Sequence, residues 1–591
     1  MKINVHAHVF NFRSILTKET ILLLKHRLTG LNIPAPFRDV ILSYLRTRRR
    51  RKTSDLSLDD FYRTIRGLGA FNILVPRPVR NLFDHHLEIS SSIEGEQMLM
   101  SLLESALVDR GSVSSSSVIN IFDWLRIGLM KNINDVTDDL MTHMDDDDVA
   151  VLLPMDIIDR KAGKKERSLF IKQLEDTEKQ ALRYPGRMLP FAMVNPVRNN
   201  SFEIFKKSID SGACVGLKLY PSLGYSIEHA TVQKALKYCN DQSVPVLLHG
   251  NDKGFRKSKK DAAFCNPKYW VPVLDELKNL KVCFGHFGGE TQDGKETWTK
   301  AIIPDDSWAL AILRLMENYP GRVFGDLSFH TDHWEDETKG ENYLNNIKNV
   351  LKDDRYKTQV LWGTDFHLLR MASTDRDFTQ KFHEMLGEID FNRIANENPV
   401  HFLGLPATGK KEEKNISRHV EWLIENKAST VYGTPASWLL EHERVDREAF
   451  NNWILSASGS WSINNLVHRS LFQFFWTPQD VPEYLHAGAR KSINNQFATI
   501  EEKFEAIGML SLAELTYFSH GPASPVLDNQ KMRGFCKDIM FWFRRKTNAE
   551  HIGPQDDNIL YSKLQQTAGQ SDKRISDIAG IVSGFFRFPV I

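Results

Sequence analysis

Four histidines and one aspartate of this chain have the types and positions needed to bind a divalent metal ion. They are His6, His8, His249, His286 and Asp365. In a β-strand, residues i and i+2 point to the same side, so His6 and His8 would present their rings together. Neutral imidazoles and a carboxylate are ligands that Zn²⁺ uses, often with one position left open for water. These residues suggest a metal centre, provided that the fold brings them together.

Short apolar segments that end in Gly, Pro, Asp or His recur through the middle of the chain. Such runs are typical of parallel strands, which are covered on both faces and are apolar throughout rather than alternating. Segments with helical spacing separate them. With KINVHAHV at the start of the chain, eight strands are predicted, and the other seven lie at 149–156, 188–196, 214–221, 244–250, 281–289, 322–328 and 359–367. The sequence therefore predicts an α/β fold, a (β/α)8 TIM barrel.

The predicted barrel would bring the candidate ligands to one end. His249, His286 and Asp365 each fall at the carboxyl end of a strand, where TIM barrels carry their active sites. Taken singly, a histidine at a strand end is more often structural, and an aspartate there usually caps the next helix. The convergence of all three with the paired histidines of the first strand favours a shared site.

Composition and charge argue against several classes of protein. The 76 basic and 75 acidic residues give a formal net charge of +1, so no overall field draws the chain to nucleic acid or anionic lipid. The basic run at 46–52 and the acidic run at 145–148 are interpreted as solvated charge. Five cysteines without CxxC spacing favour a reducing compartment. With no secretory signal or membrane-length apolar stretch, we expect a soluble cytoplasmic protein.

The chain has more material than a compact barrel needs. We predict that residues 1–25 and 149–405 form the barrel and that 26–148 are a helical insertion after the first strand. A charged stretch then leads into a mostly helical C-terminal domain of unknown function at 406–591. Its many aromatic residues would form a core, or an interface for a homo-oligomer or a protein partner.

The order of the motifs resembles the amidohydrolase superfamily of metal-dependent hydrolases. The motifs are HxH ending strand one, histidines ending strands five and six, and GTDF ending strand eight. GLKLYP, FGDLS and IANENPVHFLGL are similar to the amidohydrolase family 2 branch, which includes aminocarboxymuconate semialdehyde decarboxylase. The resemblance covers 1–25 and about 149–405.

This resemblance implies a ligand set and catalytic groups. One divalent ion, Zn²⁺ or alternatively Mn²⁺, would be bound by four residues: His6, His8, His249 and Asp365. Asp365 would also accept a proton from the attacking water, and His286 would polarise the water or the substrate. In a two-metal site, Lys218 would bridge the ions as a carboxylated lysine and His286 would become a further ligand.

The implied activity is hydrolysis of a C–N or ester-type bond in a small polar molecule, anionic or neutral. Non-oxidative decarboxylation is the alternative within the same branch. A different alternative is that the barrel is a sensor or effector module of a multi-protein stress or defence assembly. The intact ligand set favours an active site in each case.

A basic loop after strand five could hold an anionic group of the substrate. Among its residues we single out Lys257 and Lys259, because a loop that follows a barrel strand lies at the rim of the active site. The alternative is an ordinary solvated loop. Lys218, Asp326 and Arg370 are further candidates for contact with the substrate.

Overall fold

A computed structural model describes residues 1–30, 35–50, 61 and 123–441, except for 146, 257, 293–294, 332, 335, 408–409, 427 and 429–435. The predicted C-terminal helical domain therefore lies outside the described residues from position 442 onward. Most of the predicted insertion and Lys257 also lie outside them.

Eight parallel strands form a barrel in chain order. They are β1 Ile3–Ala7, β2 Val149–Leu152, β3 Met188–Met193, β4 Gly216–Leu219, β5 Val246–His249, β6 Val282–Gly285, β7 Val323–Asp326 and β8 Val360–Leu361. The residues after β8 bond back to β1, because the amide N–H of Val5 donates to the Trp362 carbonyl at 3.0 Å and that of Asp365 to the His6 carbonyl at 2.8 Å. The predicted (β/α)8 barrel is confirmed.

Helices and short turns connect the strands. The α-helices are Phe12–Ile15, Lys18–Gly30, Ala35–Arg50, Ile133–Met141, Lys164–Arg183, Ser201–Asp210, Ala230–Gln242, Lys259–Ala262, Trp270–Glu276, Trp308–Asn318, Glu337–Lys352, Asp375–Leu386, Glu388–Asn392, Asn398–Leu403 and Lys414–Glu425. The 3₁₀ turns are Pro221–Leu223, Ala263–Cys265, Pro267–Tyr269, His286–Gly288, Thr297–Thr299, Leu368–Met371 and Ser437–Glu441, and Arg393–Glu397 is a π-helical turn. A small hairpin pairs Thr291–Gln292 with Lys295–Glu296.

The local sequence explains how these helices start and where they pack. The helix Trp308–Asn318 begins after Ser307, whose side chain accepts a hydrogen bond from the Leu310 N–H. Ile312 and Met316, four positions apart, are fully buried on one face of that helix. The helices therefore cover the outside of the barrel with their apolar faces, which leaves the strand ends to carry polar chemistry.

Helices make up most of the described residues between β1 and β2. The helices Lys18–Gly30, which enters the predicted insertion at residue 26, and Ala35–Arg50 bury Leu24, Leu28 and Ile41 in the same apolar cluster as the barrel helices. Because β1 and β2 pair directly with each other, the insertion leaves the sheet uninterrupted.

The chain beyond residue 405 continues to pack on the barrel. The Asn415 side-chain amide donates to the Val215 carbonyl at 3.0 Å, and the Trp438 indole N–H donates to the Gly186 carbonyl at 2.7 Å. Val215 and Gly186 precede β4 and β3, so this segment covers the amino-terminal end of the barrel, opposite the candidate site. The described residues after 405, as far as Glu441, therefore pack against the barrel.

The acidic run at 145–148 binds neighbouring segments as well as facing solvent. Lys2 forms ion pairs with Asp145 and Asp148, and the Asp147 carboxylate accepts from the backbone N–H and the hydroxyl of Ser437, both at 2.7 Å. The run thus connects the first strand to the end of the described chain. Over the described ranges, no helix is long and apolar enough to cross a membrane.

Candidate active site

The barrel brings the histidines of β1 next to Asp365. The Oδ1 atom of Asp365 lies 3.6 Å from Nε2 of His6 and 3.5 Å from Nε2 of His8. One ligand atom from each of His6, His286 and Asp365 lies within 4.8 Å of the others, and all three side chains are buried. Atoms spaced in this way can share an ion that bonds each of them at about 2.0–2.2 Å.

Three of the imidazoles are held by their Nδ1 atoms. Nδ1 of His8 lies 2.9 Å from the Leu153 carbonyl oxygen, and Nδ1 of His286 lies 3.0 Å from that of Ser328. Nδ1 of His6 lies 2.9 Å from a carboxylate oxygen of Asp326. Because these acceptors require a proton on Nδ1, each Nε2 keeps its lone pair. Histidines that bind metals are oriented in this same way.

Asp326 lies beneath the site and supports it. Its carboxylate is fully buried, and besides contacting His6 it accepts from the amide N–H groups of His286 and Ser328, each at 3.0 Å. Burial alone would raise the pKa of Asp326, but His6 and the hydrogen bonds hold it below its usual range. Asp326, predicted to contact the substrate, thus orients the His6 ring and binds the backbone of His286.

The backbone is in the left-handed region at two of the candidate residues. The φ angles are 59° at His286 and 66° at Asp365, a conformation that is uncommon outside glycine and concentrates at functional sites. His330 supports the first of them, since its Nε2 lies 3.0 Å from the His286 carbonyl oxygen and its Nδ1 lies 2.9 Å from the Tyr343 hydroxyl. No sequence signal pointed to Tyr343.

Lys218 projects from β4 into the centre of the site. Its Nζ atom donates to Nε2 of His6 at 3.2 Å, and the side chain is fully buried. Burial lowers the pKa of Lys218 to about 8, although Asp326 and Asp365 act in the opposite direction. This position is compatible both with the bridging role and with the substrate-contact role predicted for Lys218.

His249 is held differently from the other imidazoles. Its ring stacks on Tyr220 at 4.2 Å, and its Nε2 lies 2.9 Å from the carbonyl oxygen of Lys253. The loop that carries this carbonyl is fixed to β4 and the turn after it, because the Phe255 N–H donates to the Tyr220 hydroxyl at 3.0 Å. For Nε2 of His249 to bind an ion, the Lys253 carbonyl must move away.

A cavity opens above these residues. Its volume is about 610 Å³, counting the part open to solvent, and its lining includes His8, Tyr220, His249, Asn251, Lys253, His286, Glu296, Thr299, His330, Thr331, His333, Tyr343 and Asp365. Lys253 of the basic loop is therefore at the cavity. Lys259 begins the short helix after this loop, and Arg370 is not part of the lining.

A closed parallel barrel with imidazoles, a carboxylate and a lysine gathered at the carboxyl ends of its strands has the arrangement of a barrel enzyme. Residues 118–405 match the amidohydrolase family. This match supports an enzyme of the amidohydrolase superfamily, as the order of the motifs predicted. The match begins after β1, so His6 and His8 lie outside it although the structure places them in the same barrel.

Comparison with solved structures finds matches to part of the chain. A putative 2-pyrone-4,6-dicarboxylic acid hydrolase from Pseudomonas putida is 14% identical, with a TM-score of 0.31, and the alignment covers 46% of this chain and 86% of that one. A probable 2-pyrone-4,6-dicarboxylic acid hydrolase from Acinetobacter baumannii, solved with citric acid bound, is 17% identical with a TM-score of 0.30, over 43% and 83% of the two chains. No curated protein matches the chain.

Proposed function

We propose that this protein is a metal-dependent hydrolase that acts on a small polar substrate. The observation that carries the proposal is the common orientation of His6, His8 and His286. Each is held through Nδ1, so that the Nε2 lone pairs of three buried imidazoles face the site beside Asp365, where that of His6 accepts from Lys218.

The donor set fits a borderline divalent ion, for which we propose Zn²⁺ with Mn²⁺ as the alternative. His6, His8 and Asp365 would hold the ion, and His249 would complete the set once its Nε2 leaves the Lys253 carbonyl. A divalent ion bound there would act as a Lewis acid and would bring the pKa of a bound water to about 7. All the donors are nitrogen or carboxylate oxygen, which suits these ions better than softer ones.

Asp365 and His286 would handle the protons. The Asp365 carboxylate lies at the centre of the ligand set and can take a proton from the attacking water and deliver it to the leaving group. Burial lowers the pKa of His286 well below its ordinary value of 6.5, so the ring is neutral near physiological pH. The Nδ1–H group of His286 donates to the Ser328 carbonyl. His286 would therefore orient the water by accepting a hydrogen bond from it at Nε2.

The cavity favours a substrate of limited size with polar groups. Asn251, Thr299 and Thr331 can bond such groups, and Lys253 supplies a positive charge that suits a carboxylate or phosphate. We propose that the bond broken is a C–N or ester-type bond.

The test is a hydrolysis screen on metal-stripped protein and on protein reloaded with Zn²⁺ or Mn²⁺. Amides, lactones and esters are compared in pairs with and without a carboxylate. We expect activity that depends on metal, prefers the carboxylate-bearing member and is lost in Asp365→Asn. Activity that survives chelation would overturn the proposal, and release of CO₂ without hydrolysis would assign decarboxylation instead.

Two further variants separate the roles of the neighbouring histidines. We expect His249→Asn to reduce the bound metal, and His286→Asn to keep the metal while losing activity. The opposite pattern would make His286 the ligand and His249 the group that contacts water or substrate.

A further inference from the structure

Arg370 lies beside the candidate site, but it faces protein carboxylates. It is in the turn Leu368–Met371 directly after Asp365, and its side chain is buried. The guanidinium Nη1 donates to Asp123 at 2.6 Å, Nη2 donates to Asp139 at 3.2 Å, and Nε donates to Asp375 at 3.2 Å. These three carboxylates engage the donors that a substrate carboxylate would need.

Asp123 and Asp139 also bind a second arginine, which closes a ring of alternating charges. Arg126 donates to the other oxygen of each carboxylate, at 2.8 Å to Asp123 and at 2.7 Å to Asp139. Burial alone would raise the pKa of Asp139, but Arg126 and Arg370 hold it well below its usual range. The ring is therefore made of charged groups, and each carboxylate bridges the two guanidiniums.

The ring joins two parts of the chain that are far apart in sequence. Asp123, Arg126 and Asp139 lie on the helical segments at the end of the insertion, just before β2. Arg370 alone among the four lies in the turn after β8. The end of the insertion is thus fastened to the turn that follows Asp365.

That turn is bonded to the candidate ligands through the backbone. The Leu369 N–H donates to the Asp365 carbonyl at 3.0 Å, and the Asp365 N–H donates to the His6 carbonyl at 2.8 Å. His367 reaches the residue directly after β1, since its Nδ1 lies 3.2 Å from the His8 carbonyl oxygen. Asp365 itself has a left-handed backbone, which needs support from its surroundings.

We infer that Arg370 is a positioning residue: through the ring with Asp123, Arg126 and Asp139 it fixes the turn that holds Asp365 against β1. The end of the insertion thereby takes part in setting the geometry of the active site. The inference rests on the proposed function only in naming Asp365 a ligand and proton acceptor. The link between the end of the insertion and the turn after Asp365 does not itself depend on a bound metal.

The test compares Arg370→Lys with Arg126→Lys in the full-length protein. Both variants keep the charge and lose the fork that bridges two carboxylates, but Arg126 is outside the turn after β8. Amide hydrogen exchange is followed in metal-free protein over residues 362–371. We expect Arg370→Lys to speed exchange there by about tenfold, and Arg126→Lys by about twofold or less.

Equal acceleration in the two variants, or none in either, would overturn the inference, because a purely structural ring affects both sides alike. If Arg370→Lys does not fold, Asp139→Asn removes a charged partner of Arg370 on the insertion side. Amide hydrogen exchange over residues 362–371 in that variant then tests the inference. The absorption spectrum of bound Co²⁺ adds an independent readout, which should shift in Arg370→Lys and not in Arg126→Lys. Failure of the wild type to bind Co²⁺ would count against the proposed function, while the exchange data would still decide the role of Arg370.

Discussion

Nδ1 of His6 lies 2.9 Å from a carboxylate oxygen of Asp326, and neither side chain is accessible to solvent. His6 belongs to the first strand of the barrel and Asp326 to the seventh, so the pair joins elements more than three hundred positions apart. The carboxylate fixes which nitrogen of His6 carries the proton and which nitrogen faces Asp365.

This pair gives a first prediction, for Asp326→Asn. The amide has the size of the carboxylate but no charge, so it holds the His6 proton and ring less firmly. We expect Zn²⁺ affinity to fall by about 10- to 100-fold in isothermal titration. Asp305→Asn is the control, because that side chain is 98% exposed. Unchanged affinity in Asp326→Asn would show that His6 needs no such support.

A second prediction concerns the loop over His249. Tyr220→Phe keeps the ring stacked on His249 but removes the hydroxyl that accepts from the Phe255 N–H. The loop should then release the Lys253 carbonyl from His249 more easily, and Zn²⁺ affinity should rise by about fivefold, the equivalent of about 1 kcal/mol. The partly exposed Tyr238 provides the matched Tyr→Phe control. A weaker site in Tyr220→Phe would mean that the loop does not compete with the ion.

A third prediction concerns pH and His419, which is remote from the candidate site. His419 is fully buried, its Nδ1 lies 2.7 Å from the Gly212 carbonyl oxygen, and its Nε2 has no hydrogen-bond partner within the described part of the chain. Burial lowers the pKa of His419 to about 4 from an ordinary value of 6.5. Between these values the unfolded chain binds the proton more readily, so stability falls as pH drops through this range.

The free energy of unfolding is expected to lose on the order of 3 kcal/mol through His419 once the pH has fallen through this whole range. His419→Gln does not titrate, so its free energy of unfolding should fall less than that of the wild type between about pH 7 and about pH 5. Urea unfolding at several pH values gives the comparison. Parallel curves for the two proteins would contradict the assignment.

A fourth prediction concerns the segment after residue 405. Trp438 is 2% exposed and its indole N–H is bonded to the Gly186 carbonyl, so Trp438→Ala should lower the free energy of unfolding of the barrel by about 3–5 kcal/mol. Ile424→Ala, at a side chain that is 38% exposed, should cost about 0.5 kcal/mol or less. If Trp438→Ala leaves the unfolding transition of the barrel unchanged, the segment belongs to a separate unit.

The sequence predicts the barrel and the strand-end residues because both depend on local patterns. Continuous apolar runs mark the strands, and alternation within a strand places His6 and His8 on one side. The roles of Asp326 and Arg370 could not be obtained in this way, because their partners lie on elements hundreds of positions away. Both were predicted to contact the substrate, whereas the structure shows them binding a histidine and a ring of carboxylates.

The packing of the segment after residue 405 could not be predicted from the sequence for a related reason. A charged stretch without apolar residues is typical of a linker, but here Glu413 pairs with Lys281 and the helix that follows buries Ile416 and Val420 against the barrel. Charge alone does not distinguish a linker from a short surface connection. The distinction depends on what the next helix packs against.

The central claim is that His6 and His8 bind a metal ion beside Asp365. Elemental analysis of the protein after reconstitution with Zn²⁺ or Mn²⁺ tests it most directly, with a His6→Ala/His8→Ala double variant as the comparison. We predict one equivalent of metal in the wild type and none in the variant, and two equivalents would indicate that Lys218 bridges a second ion. Absence of metal from the reconstituted wild type, or equal metal in both proteins, would contradict the account.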